Sequence, residues 1–245
     1  MRLRLLPRAN LAASRCCDAI ATSANAGLVG NANPNFWRFT GRLNADGEIH
    51  AKAGPKLLAA CQEIAASGYV RCNIGETVVT PAFGLHAGVV IHAVAPDGLY
   101  AAGLQQWWGR RQWSGNNNAR AVHLEEAKPA GEASELLSQT YGAILAAACE
   151  HSARSVALPA IGCGVLGFPA GRAAKVALNA FANHKSDGGV EKIDVALLDD
   201  NAFNAWSRTT RALLGEPDFV GEAGIEVYNL QRLRERLPRA KEGQQ

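Results

Sequence analysis

The most informative segment of this chain is Pro159-Ala-Ile-Gly-Cys-Gly-Val-Leu-Gly-Phe-Pro169. It follows the apolar run 155–158 and precedes a helical pattern over 170–181. A buried strand, a glycine-rich turn and a helix, in that order, allow backbone N–H groups and the helix start to hold an anion. A tight β-to-α turn without a ligand has the same pattern, so this segment alone leaves both interpretations open.

Apolar runs that fit strands alternate with helical patterns along the chain. The predicted strands are 19–23, 76–80, 89–94, 155–158 and 193–198, and the predicted helices are 55–66, 134–150, 171–184 and 202–214. This alternation indicates an α/β protein with a mostly parallel sheet covered on both faces. Ligands of such sheets bind beyond the carboxyl ends of the strands. A dinucleotide-binding Rossmann domain is excluded because the first strand lacks G-x-G-x-x-G.

Composition is that of one domain. The 245 residues are 48% hydrophobic and 19% charged, which is enough to bury one core, and no apolar run predicts a membrane span. The net charge of +3 does not by itself indicate nucleic acid. We predict a domain over 1–228, with insertions at 30–41 and 97–131, and a basic tail over 229–245 that is first helical and then disordered.

The six cysteines form no C-x-x-C pair and no zinc-like spacing with histidine. They predict reduced thiols in an intracellular protein, cytoplasmic or nuclear, with neither a metal nor a cofactor. Residues 1–17 carry four arginines and no acidic residue, which is also the composition of an organellar transit peptide. We favour the other interpretation, in which residues 2–6 form a core strand.

Four further segments carry a family resemblance. They are Asp18-Ala-Ile-Ala-Thr-Ser-Ala-Asn25, Gly41-Arg-Leu-Asn-Ala-Asp-Gly-Glu-Ile-His50-Ala-Lys-Ala-Gly-Pro55, Gly75-Glu-Thr-Val-Val-Thr-Pro81-Ala-Phe and Val89-Val-Ile-His92-Ala-Val. In this order and at these separations they resemble the macrodomain family, whose members bind ADP-ribose. The resemblance runs from about Leu3 to about Trp206. It implies a three-layer α/β/α fold with a mixed, mostly parallel central sheet.

The resemblance implies roles for residues at the distal-ribose end. Asn25 matches the asparagine that holds the distal ribose. Asp46 and His50 match an aspartate and a histidine, and the resemblance makes both candidate catalytic residues. In hydrolytic members the aspartate orients or deprotonates a water. Two alternatives remain open, because Asp46 could cap a helix beginning near residue 48 and His50 could be a packed, hydrogen-bonded core residue.

The remaining ligand residues follow from the same resemblance. The second diphosphate loop corresponds to Gly162, Cys163, Gly164, Val165, Leu166 and Gly167. Phe203 matches an aromatic that stacks on adenine, although a helix there would bury it in any case. Asn10 lies near an aspartate that accepts the adenine amino group. We do not expect Cys163 to act as a nucleophile, because the sequence places no base beside it.

Two departures from the family pattern bear on catalysis. Hydrolytic members carry four glycines where this chain has Gly41-Arg42-Leu43-Asn44, and Leu166 replaces a usual Tyr or Phe. The side chains after Gly41 either redirect the backbone or fill part of the pocket, or Arg42 pairs with the diphosphate. We therefore predict Gly41 and Arg42 as ligand-binding residues and leave hydrolysis open.

The insertions offer further contacts. Residues 30–41 contain Phe36, Trp37, Arg38 and Phe39 and are predicted to cover the distal-ribose side of the cleft. Residues 105–118 interleave tryptophans with arginines, which could stack bases or simply pin the insertion to the domain.

Three hypotheses about function follow. They are a hydrolase that removes mono-ADP-ribose esters from acidic side chains, a non-catalytic module that binds ADP-ribose, and a nucleic-acid-associated domain. The expected partner is ADP-ribose or a mono-ADP-ribosylated protein, and no membrane is expected.

Overall fold

A computed structural model describes residues 1–14, 17–30, 44–97, 130–164, 166–184 and 189–236. Its strands are β1 Arg2–Pro7, β2 Ala19–Ala24, β3 Thr77–Pro81, β4 Val89–Val94, β5 Ser155–Pro159, β6 Lys192–Leu197, β7 Phe219–Val220 and β8 Glu226–Asn229. Its α-helices are α1 Ala45–Ala53, α2 Pro55–Glu63, α3 Ala130–Glu150, α4 Ala170–Asn183, α5 Asp200–Leu214 and α6 Gln231–Arg236. Within these ranges no helix combines the length and the apolar character needed to cross a membrane.

All eight strands form one sheet in the order β3-β4-β2-β5-β6-β1-β8-β7. The five strands from β4 to β1 are mutually parallel, whereas β3 and β8 run antiparallel to their neighbours and β7 runs antiparallel to β8. The mixed, mostly parallel sheet predicted from the sequence is therefore confirmed. The strand interpretation of residues 2–6 is also confirmed, because β1 lies inside the sheet between β6 and β8.

Helices cover both faces of the sheet and bury separate cores. On one face α3, α4 and α5 pack over the larger core, which contains Leu3, Leu158 and Trp206. On the other face α1 and α2 cover a smaller core around Ile20 and Val90. This arrangement has three layers, as predicted.

Two of the elements that the sequence patterns did not predict have polar residues on their buried faces. Helix α1 buries Asp46 together with Ile49 and Ala53, so the apolar period is interrupted at its first turn. Strand β8 buries Glu226, whose carboxylate accepts hydrogen bonds from Ser207 Oγ (3.0 Å) and Tyr228 Oη (2.5 Å). The predicted helix 55–66 ends earlier, at Glu63, because Ile64 adopts an extended conformation.

The carboxyl-terminal helix packs against the domain. Leu233 of α6 is buried, and Leu230 just before the helix is fully buried. The Arg234 guanidinium donates to the carbonyl oxygens of Ala182 (3.0 Å) and His184 (2.6 Å) at the end of α4. Residues 237–245, predicted to include the disordered end of the tail, lie outside the described residues.

Candidate functional site

A crevice opens where β2 and β5 separate. The two strands pair only at Ala19–Val156 and Ile20–Ala157, although β2 continues to Ala24 and β5 to Pro159. After β2 the chain proceeds to β3 and then β4 on one side, and after β5 it proceeds to β6 on the other. Such a reversal of strand order is the place where open α/β sheets bind ligands.

Asn25 forms the β2 side of this crevice. Its Oδ1 accepts a hydrogen bond from the Val29 backbone N–H at 3.3 Å and from Tyr69 Oη at 3.4 Å. Its backbone carbonyl accepts from Leu28 N–H, and Leu28 is buried in the left-handed region at φ 52°. A branched-chain residue rarely adopts this conformation, so the turn is held by its surroundings.

Asp46 lies above β2 in the first turn of α1. Its carboxylate is 2% exposed, and Oδ1 accepts a hydrogen bond of 3.1 Å from the Thr22 hydroxyl on β2. Asn44, and not Asp46, caps the helix, since Asn44 Oδ1 accepts from Gly47 N–H at 2.8 Å. The alternative of Asp46 as the helix cap is therefore wrong. The cap is two residues earlier, which turns Asp46 inward.

His50 lies one helical turn after Asp46. Its Nε2 is 3.9 Å from Asp46 Oδ1, which is beyond hydrogen-bond distance. Burial lowers the pKa of His50, so the imidazole is neutral near pH 7. Its ring centroid is 6.0 Å from that of His92 on β4. A catalytic role for His50 stays a prediction.

The glycine turn forms the β5 side of the crevice. Gly162 and Gly167 have φ values of 80° and 65°, a conformation that favours glycine. Two bonds close the turn, from Gly167 N–H to Gly164 O and from Phe168 N–H to Gly162 O, each 2.9 Å long. Within the part of the chain that the structure describes, the N–H groups of Gly162, Gly164 and Leu166 donate to no other group. Those N–H groups remain able to bind an anion beside the start of α4.

Cys163 and Leu166 contribute to the turn mainly by packing. Both are half-buried against the larger core. Burial raises the pKa of Cys163 to about 12, and its Sγ is 3.8 Å from the carbonyl oxygen of Ile161. The thiol is therefore protonated near pH 7, which agrees with the expectation that Cys163 is not a nucleophile.

Phe203 and Asn10 lie at the same edge of the sheet, after β6 and β1. Phe203 is half-buried in the first turn of α5, which Asp199 caps. Asn10 is exposed, but its Oδ1 already accepts from Ala12 N–H at 2.8 Å, which caps the short 3-10 turn Leu11–Ala13. The adenine-binding roles of both residues stay predictions.

Several predicted site residues lie outside the described residues. These are Gly41, Arg42 and Val165, together with the aromatic cluster of 36–39 and the tryptophan–arginine segment 105–118.

Three contributors to the site were missed from the sequence: Thr22, Tyr69 and Arg71. The Thr22 hydroxyl donates to Asp46, and the Tyr69 hydroxyl donates to Asn25. The Arg71 guanidinium donates to the Gly27 carbonyl oxygen at 3.4 Å. Arg71 therefore brings a positive charge to the turn beside Asn25. No spacing signal could have found these contacts, because they depend on how the loops return to the sheet.

A second depression lies at the opposite, amino edge of the sheet. It has a volume of about 390 Å³ and is lined by residues that include Cys17, Asp18 and His86. The Asp18 carboxylate already accepts from the N–H groups of Arg154 and Ser155 and from the Ser155 hydroxyl. The Asp18 carboxylate is therefore engaged in joining β2 to β5.

The asparagine turn follows β2 and the glycine turn follows β5, at the point where the strand order reverses. This arrangement defines a ligand-binding domain of the open-sheet α/β class. The model of the Macro domain family matches residues 31–103 and 120–177, more than half of the chain. The chain belongs to the Macro domain family.

Relatives and solved structures agree with this assignment. A Macro domain-containing protein of Chlorobaculum tepidum is 31% identical over 196 residues, which are 80% of this chain and 88% of that protein. An O-acetyl-ADP-ribose deacetylase of Salmonella gallinarum is 34% identical over 166 residues, covering 68% of this chain and 70% of that protein.

The solved structures establish the fold. The Oceanobacillus iheyensis macrodomain with ADP has a TM-score of 0.62 at 23% identity, covering 86% of this chain and 90% of that chain. The Trypanosoma brucei macrodomain in complex with ADP-ribose has a TM-score of 0.58 at 22% identity, covering 83% and 67%. The predicted three-layer macrodomain fold is confirmed.

The packing of Tyr69 on Gly27 generates a first prediction. A Cβ on Gly27 would lie 2.1 Å from Tyr69 Cζ, so Gly27→Ala must displace the ring that holds Asn25. We expect the free energy of unfolding, measured by urea denaturation, to fall by about 1 to 3 kcal/mol. The control is Gly164→Ala, whose Cβ would contact nothing within 4 Å. Equal stability of the two variants would show that Tyr69 does not brace the turn.

Proposed function

We propose that this protein binds ADP-ribose in the crevice between β2 and β5 and hydrolyses esters of the distal ribose. The substrate class is mono-ADP-ribose attached through an ester to an acidic protein side chain. The relative in Salmonella gallinarum is named for removing the acetyl group of O-acetyl-ADP-ribose, which is also an ester of this nucleotide. We propose that the present chain cleaves the same type of bond, an ester of ADP-ribose.

The glycine turn supports binding of the diphosphate. A diphosphate needs several donors that approach closely, and the N–H groups of Gly162, Gly164 and Leu166 have no other described acceptor. The amino terminus of α4 adds its positive dipole end, and Gly164 is exposed. On the opposite side, Asn25 Nδ2 can donate to a ribose hydroxyl, while Val29 and Tyr69 hold Oδ1.

The observation that carries the hydrolytic proposal is the buried carboxylate of Asp46 on the β2 side of the crevice. The 3.1 Å bond from Thr22 fixes Oδ1, so the carboxylate is positioned before any substrate arrives. In the proposed reaction Asp46 orients a water and takes its proton as the hydroxyl adds to the acyl carbon. The departing ribose oxygen regains a proton, and the products are ADP-ribose and a free carboxylic acid.

A second candidate is a module that binds ADP-ribose without turnover. It is favoured by the substitution of Arg42, Leu43 and Asn44 for glycines that permit close backbone approach in hydrolytic relatives. In this structure Asn44 is the cap of α1 and so has a structural use of its own. Binding measured together with turnover separates the two candidates.

The diphosphate assignment predicts the effect of Gly164→Val. A side chain here would enter the space of the ligand and not that of the protein, because a Cβ would contact nothing within 4 Å. We expect ADP-ribose to bind at least about tenfold more weakly, a loss of roughly 1.4 kcal/mol, by isothermal titration calorimetry. Unchanged unfolding in urea serves as the control for folding. An unchanged affinity would show that this turn does not bind the diphosphate.

The hydrolytic assignment predicts the effect of Asp46→Asn. Asparagine keeps an acceptor for Thr22 but cannot take a proton, so turnover of a mono-ADP-ribosylated protein should fall about a hundredfold or more. ADP-ribose affinity should stay within a few-fold, and Glu63→Gln on α2 should leave turnover unchanged. Equal losses of binding and rate would make Asp46 structural. No turnover by the wild-type protein, on this substrate or on O-acetyl-ADP-ribose, would select the binding module.

A further inference from the structure

Three potential metal ligands meet between the helices α1 and α2 and the sheet. They are His50 of α1, Cys61 of α2 and His92 of β4, and their ligand atoms all lie within 4.8 Å of one another. Spacing along the chain gave no sign of this group, and the sequence led us to expect no metal. The fold itself brings the three residues together.

The distances within this cluster suit a zinc ion. Cys61 Sγ and His92 Nε2 are 3.7 Å apart. Two such atoms bound to one tetrahedral Zn²⁺, at about 2.3 Å for sulfur and about 2.0 Å for nitrogen, lie roughly 3.5 Å apart. The observed separation of these two atoms is therefore close to the separation that they would have on one ion.

The histidines are in the protonation state that a metal requires. Burial, together with the neighbouring His50, lowers the pKa of His92 to about 3. His50 is also neutral near pH 7, so both rings offer a lone pair. His92 Nε2 lies 3.0 Å from Thr80 Oγ1, whereas Nδ1 is buried and has no hydrogen-bond partner among the described residues. The nitrogen that faces Cys61 is therefore the one beside Thr80, and an ion bound to Nε2 would replace the contact with Thr80.

Charge around the cluster is also suitable. Burial and the charge of Asp46 raise the pKa of Cys61 to about 11, so the thiol is protonated in the metal-free protein. A bound divalent cation reverses this effect and deprotonates the thiol. The resulting thiolate and the Asp46 carboxylate, whose Oδ1 is 3.9 Å from His50 Nε2, together balance two positive charges. The positive charge of Arg71 has the opposite effect to Asp46: it lowers the pKa of Cys61 and so favours the thiolate.

We propose that His50, Cys61 and His92 form a binding site for a zinc ion that joins α1 and α2 to the sheet. Nitrogen and sulfur donors select Zn²⁺ over Mg²⁺ or Ca²⁺, which prefer oxygen. The site goes beyond the proposed hydrolysis, since binding of the ion requires no nucleotide. Its consequence for the crevice is mechanical, because the ion would fix the helix that carries Asp46.

The competing explanation is a buried, hydrogen-bonded core without an ion. Cobalt(II) titration of the full-length, chelator-treated protein distinguishes the two, because thiolate ligation gives a sulfur-to-cobalt charge-transfer band that imidazole and carboxylate ligands lack. We expect about one equivalent to bind with this band and to be displaced by Zn²⁺. Absence of the band in the wild-type protein would overturn the proposal.

Matched cysteine variants locate the site. Cys61→Ala should abolish the band and weaken Zn²⁺ binding at least about a hundredfold. Cys72→Ala should bind like the wild type, because Cys72 is a buried cysteine of the same small core but lies outside the cluster. If Cys61→Ala does not fold, His50→Gln is tested in its place and should weaken Zn²⁺ binding by at least about tenfold. Retention of full binding by the Cys61 or His50 variant would place the ion elsewhere and contradict the proposal.

Discussion

The hydrogen bond from Thr22 to Asp46 joins the first helix to the strand that ends at Asn25. A carboxylate that is 2% exposed is costly to bury unless hydrogen-bonded neighbours compensate, so α1 is restricted to one position over the sheet. That position depends in turn on the Asn44 cap, which sets the register of the helix. The arrangement of the β2 side of the crevice follows from these two contacts.

The separation of β2 from β5 supplies the other half of the site. Pairing ends after Ile20 and Ala157, and each strand then continues into its own turn. In the proposed mode of binding, the backbone N–H groups of the glycine turn hold the diphosphate without help from charged side chains, which is compatible with the small net charge of the chain. Arg71, beside the asparagine turn, adds a local positive charge that the overall balance conceals.

Sequence patterns predicted the elements whose buried faces are apolar, such as β4, α4 and α5. They failed for α1 and β8, because Asp46 and Glu226 interrupt the apolar period on a buried face. Motif resemblance pointed to Asn25, Asp46 and the glycine turn as candidate site residues, but it could not reveal the residues that hold them. Thr22, Tyr69 and the convergence of His50, Cys61 and His92 arise only when distant segments pack together.

Amide chemical-shift mapping during an ADP-ribose titration tests the central claim most directly, since it requires no assumption about turnover. The account predicts the largest shifts at the amides of Gly162, Gly164 and Leu166 and in the turn that follows Asn25. The amides of β7, at the far edge of the sheet, should not move. Shifts concentrated away from these two turns, or no shifts at saturating nucleotide, would contradict a ligand site in the crevice between β2 and β5.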